Sequence, residues 1–102
     1  GILTLIDYVG ISFNDIDKLY IAGGFGNYLN LKNAANIGLI PPPLLNRAEA
    51  IGNAAISGAA MLLLNSDLID KSYNIALNAD TVELTTSPKF LEHYMDCMSF
   101  EN

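Results

Sequence analysis

One cysteine, one histidine and five basic residues are all that this sequence of 102 residues offers to several kinds of chemistry. Cys97 by itself cannot close an internal disulfide, build a zinc cage or hold an iron–sulfur cluster within this chain. A chain so poor in cysteine points to a reducing, cytoplasmic setting. The five Lys and Arg residues are scattered among eleven Asp and Glu, giving a formal charge of −6. Duplex binding needs clustered cations to neutralise phosphates, so the expectation is no nucleic-acid partner. Long hydrophobic runs are also missing. The longest nearly apolar stretch, residues 52–64, is broken by Asn53 and Ser57 and falls short of the roughly 20 residues that span a bilayer. It reads as a buried helix of a protein without a membrane partner. The sequence starts at Gly1 with no initiator Met and no charged leader, so it reads as an excised piece of a longer protein.

What is present is apolar. Hydrophobic residues make up 51% of the chain, which excludes disorder and predicts one modest domain with a real core, built without disulfides or metals. Ile2, Leu5, Ile6 and Val9 recur at helical spacing and stop at Gly10, predicting a helix over residues 2–9. Residues 18–22 form a short apolar run between Asp17 and Gly23-Gly24 and read as a buried strand. Asn30 is placed to cap a helix that ends at Gly38. Pro41-Pro42-Pro43 reads as an extended connector into a second strand over residues 47–51. Gly52-Asn53 then opens a helix through Leu64 whose first half is nearly all small residues, so close packing against another backbone is expected there. Ser66 is the expected cap of a helix over 67–78 with Leu68, Ile69, Tyr73, Ala76 and Leu77 inward. Thr81-Val82-Glu83-Leu84-Thr85 alternates like a third strand. Ser87-Pro88 starts a last helix that faces inward with Phe90, Leu91, Tyr94, Met95 and Met98. Three short strands alternating with about five helices make an α/β unit, and so few strands suggest an incomplete sheet.

The sharpest local feature is the paired glycine directly after the first strand. In open α/β sheets ligands bind at the carboxyl ends of strands, and glycine lets a phosphate or nucleobase approach the backbone. Gly23 and Gly24 therefore serve a ligand or merely make a tight turn. The spacing of Gly23, Gly24 and Gly26 is not the dinucleotide fingerprint. Asn53 lies at the second strand-to-helix junction, where its side chain caps the helix or meets a ligand. His93, beside Glu92 on the polar side of the last helix, reads as a surface histidine. Asp15 and Asp17 read as turn formers, Cys97 as a partly buried, inert thiol, and no serine sits on a nucleophile elbow. No residue is assigned to catalysis or to a metal.

The string Leu19-Tyr20-Ile21-Ala22-Gly23-Gly24-Phe25-Gly26-Asn27-Tyr28-Leu29 is more specific than any of these, as are Asn33-Ala34 and Ile37-Gly38-Leu39-Ile40-Pro41. With Gly52-Asn53-Ala54-Ala55, Gly58-Ala59, Val82-Glu83-Leu84, Phe90 and Met98-Ser99-Phe100, it resembles the C-terminal region of the reductive activators of corrinoid proteins. Nearly the whole chain is covered, and the triple proline is heavier than the family pattern. These activators belong to the acetate and sugar kinase, heat-shock protein and actin superfamily. The resemblance implies a C-terminal part of an actin-like (ribonuclease H-like) ATPase domain in a parent that also carries a two-iron ferredoxin domain. The parent would use ATP with Mg to drive electron transfer onto cob(II)alamin in a partner corrinoid protein, restoring cob(I)alamin. It further implies that Gly23 and Gly24 contact the adenosine end of the nucleotide, with Phe25, Gly26 and Asn27 bordering the adenine or ribose. Phosphate-binding turns and metal-associated carboxylates would lie upstream. A second hypothesis is an interaction module that packs on the rest of its own ATPase domain, on a second copy as a homodimer, or on the corrinoid protein, with glycines that only turn the chain.

Overall fold

In the computed structural model, which describes residues 1–24 and 28–99, apolar spacing and local caps place most elements where the sequence pattern puts them. Helix α1 spans Ile2–Val9. It stops because Gly10 adopts φ 78°, from which its N–H donates to the Ile6 carbonyl at 2.9 Å. A 3₁₀ turn over Phe13–Asp15 follows, in which the Asp15 carboxylate accepts from the Ser12 N–H at 2.9 Å. Strand β1 spans Leu19–Ala22. Helix α2 covers Leu31–Asn36, capped by Asn30, whose Oδ1 accepts from the Asn33 N–H at 3.0 Å. Strand β2 is Ala48–Gly52, helix α3 Ala54–Leu64, helix α4 Asp67–Asn78 and helix α5 Pro88–Asp96.

The two strands pair in parallel, Leu19 opposite Ala48, Tyr20 opposite Glu49, Ile21 opposite Ala50 and Ala22 opposite Gly52. Ile51 is therefore the extra residue of a bulge at the carboxyl end of β2. The pair is buttressed by Arg47, whose guanidinium donates to the carbonyls of Phe13 and, at 2.8 Å, Ile16. One side chain thus ties the turn before β1 to the start of β2.

Four expectations are corrected. Only Pro41 of the triple proline is extended, at φ −55° and ψ 123°. Pro42 and Pro43 open a 3₁₀ turn over Pro42–Arg47, because proline suits a first turn, where its missing N–H has no role. Ser66 does not cap α4. It is itself helical at φ −64°, ψ −22°, and the Asn65 Oδ1 accepts the Asp67 N–H at 3.1 Å instead, since an Asx turn suits asparagine better than serine. Residues 81–85 form no strand, so the described residues hold two strands rather than three, with five α-helices. The segment has no ladder partner; it lies along α1 and keeps only the alternation, Val82 and Leu84 being half-buried and Thr81, Glu83 and Thr85 exposed. Finally, His93 belongs to the side of α5 that meets α1, whereas Leu91, Tyr94, Met95 and Met98 are exposed.

The buried apolar residues are few. Ala34, Ala35, Ile40 and Leu44 form a small core where α2 meets the Pro42–Arg47 turn. No residue of α3 or α4 is buried, and nothing among the described residues packs within 4 Å of where a Gly58 Cβ would stand. The core is thus far smaller than the apolar content led one to expect, and the expected close backbone neighbour of α3 is absent among the described residues. The chain exposes 7998 Å², where a compact protein of its 11.0 kDa exposes roughly 5600 Å². Its radius of gyration, 16.0 Å, exceeds the roughly 13 Å of a compact chain of this length.

Candidate nucleotide-binding turn

Because β1 and β2 run parallel and end side by side, two junctions far apart in sequence meet at one edge of the sheet. Gly23 follows β1 with φ 99° and Gly52 ends β2 with φ 69°, both values in the left-handed region that strains any residue with a Cβ. The Gly23 N–H donates to the Gly52 carbonyl at 2.6 Å, locking the two turns together. Among the described residues, no atom lies within 4 Å of an ideal Cβ on Gly23 or Gly24. A glycine at such a strand end leaves the backbone free of a Cβ. Asn53 stands beside this edge, directly after Gly52. Its Oδ1 accepts the Ile56 N–H at 3.0 Å, so it caps α3, while its amide nitrogen keeps two donors uncommitted among the described residues. Phe25, Gly26 and Asn27 lie outside the described residues.

Other features escaped sequence reasoning because their partners are remote. His93 Nε2 lies 2.6 Å from Asp7 Oδ2, a hydrogen bond that becomes an ion pair when the imidazole is protonated. It joins α5 to α1 across a separation of 86 residues, and no local pattern announces it. Thr4, on the inward face of α1, is 2% exposed, and its Oγ1 has no hydrogen-bond partner among the described residues. It lines a cavity of about 170 Å³ with Asp7, Tyr8, Val82, Ser87 and Lys89. Among the described residues no cluster of His, Cys, Asp and Glu is arranged to hold a metal ion, and no helix is long and apolar enough to cross a membrane.

Comparison with known proteins gives these turns a context. The corrinoid activation enzyme RamQ of Eubacterium limosum is 38% identical over 95 residues, covering 93% of this chain and 16% of RamQ. A Co(II) methylated amine-specific corrinoid protein reductase of Methanosarcina barkeri is 28% identical over 100 residues, 96% of this chain and 18% of that protein. The chain thus spans less than a fifth of the length of these relatives. A family model described as the C-terminal domain of RACo, the ASKHA domain, matches residues 1–102. The α/β chain with its two parallel strands belongs to this family of C-terminal RACo domains, a part of the actin-like ASKHA domain.

Proposed function

We propose that these residues are the C-terminal part of an ATP-dependent activator that reductively reactivates a cytoplasmic corrinoid protein, and that they supply the adenosine side of its nucleotide site. The 38% identity to a corrinoid activation enzyme over 93% of the chain carries this reading. In the parent, a two-iron ferredoxin cluster, held by residues outside this chain, would supply the single electron that takes the partner's cob(II)alamin to cob(I)alamin. ATP, bound with Mg, supplies the free energy for that uphill transfer by favouring one conformation of the activator over another. This chain's own contribution is positional. Gly23 and Gly24 offer bare backbone to the adenosine, and Asn53 holds α3 at the same edge with amide donors to spare.

A second role is favoured by one observation, the surface. Roughly 2400 Å² beyond the compact expectation is exposed, about three times what one partner contributes to a standard interface. The chain is therefore also a packing module for the rest of its own ATPase domain, and a second copy or the corrinoid protein would compete for the same faces. The functional reading is tested with the full-length protein, its corrinoid protein in the cob(II)alamin state, and a one-electron donor. Cob(I)alamin absorbance should appear with ATP and Mg and not without ATP. Reduction at the same rate in both cases, or in neither, would contradict the proposal.

A further inference from the structure

A groove of about 690 Å³ runs between the first turn of α1, the corner at residues 38–43 and one side of α5 with the residues that follow it. Its walls include Ile2, Leu39, Pro42, Phe90, Tyr94 and Met98. Leu39, Tyr94 and Met98 are each more than half exposed, although Phe90 and Tyr94 already meet in a tilted pair with ring centroids 5.9 Å apart. Among the described residues, the ionisable side chains on its walls are His93, Tyr94 and Cys97, and His93 is held by Asp7.

Resting on the reading of this chain as part of a larger ASKHA domain, we infer that this groove is the seat of an apolar segment from the preceding part of the same polypeptide. Three arguments select that occupant. Permanent interfaces are apolar through their centre, whereas partners that must come and go meet through more polar surfaces; the corrinoid protein has to leave after each reactivation. A second copy would bring another net charge of −6 to an acidic molecule, which opposes association. A segment of the same chain meets neither obstacle, and tethering gives it an effective concentration on the order of millimolar. The relatives, of which this region is at most 18%, have ample chain to provide it, and the family description places this region at the C-terminal side of that chain.

The test is photo-crosslinking in the full-length protein, with p-benzoylphenylalanine placed in turn at Leu39, Tyr94 and Met98. The expected result is intrachain crosslinks from at least two of the three sites to one peptide preceding Gly1, with a yield that is unchanged over a hundredfold dilution and on adding corrinoid protein. Crosslinks to the corrinoid protein, crosslinks between copies that fade on dilution, or no crosslinks from any site would each overturn the inference. ATP-dependent corrinoid reduction measured on the same samples separates failure of this inference from failure of the functional reading.

Discussion

Arg47 is the residue on which most of the sheet's alignment converges. Its guanidinium satisfies two carbonyls of the turn before β1 from a position at the start of β2. Arg47→Met keeps much of the bulk but leaves both carbonyls unpaired, so urea unfolding of the full-length protein should report a loss of about 1–3 kcal/mol. Thr4 behaves in the opposite way. Its buried Oγ1 has no partner among the described residues, so Thr4→Val removes an unsatisfied polar atom while keeping the branched shape. The melting temperature should stay level or rise; a fall of several degrees would mean that the hydroxyl is bonded after all. Neither role was legible in the sequence, where Arg47 only marks the start of the second strand. The partners of Arg47 lie 31 and 34 residues away, and burial of a single hydroxyl is decided by packing rather than by pattern.

At the scale of elements, legibility follows how local the determining interaction is. Helix starts at Asn30, Asn53 and Ser87 could be read because a cap and the N–H that it accepts are three residues apart. Replacing Asn53 by Ala should cost about 1 kcal/mol in thermal unfolding, while Asn53→Asp, an equally good cap, should cost little; equal losses for both would show that the amide nitrogen matters to the fold. The two strands were legible from short apolar runs ending in glycine, but their parallel register was not. Residues 81–85 show the reverse failure. Alternation signals a half-buried extended segment, and whether that becomes a strand depends on a partner edge that lies beyond any local window. The same holds for the inward faces of α4 and α5, since Ile69, Tyr73, Leu77, Tyr94 and Met98 form coherent stripes yet are exposed. Periodicity tells that a face is to be covered, not by what.

For the whole molecule, the candidate site was legible only as two separate junctions, Gly23-Gly24 and Gly52-Asn53. Parallel pairing made them one edge, with the Gly23 N–H on the Gly52 carbonyl. Under the proposed function the turns that grip phosphates belong to the rest of the parent, so residues 1–102 alone should not hydrolyse ATP; turnover that survives purification controls would contradict that. The central claim is that this edge binds the nucleotide in the full-length activator. Its most direct test is calorimetric titration of ATP with Mg into that protein beside its Gly23→Val and Gly24→Val variants, with folding of each verified by circular dichroism. The account predicts at least tenfold weaker binding for both folded variants, about 1.4 kcal/mol each. Unchanged affinity in both would contradict it.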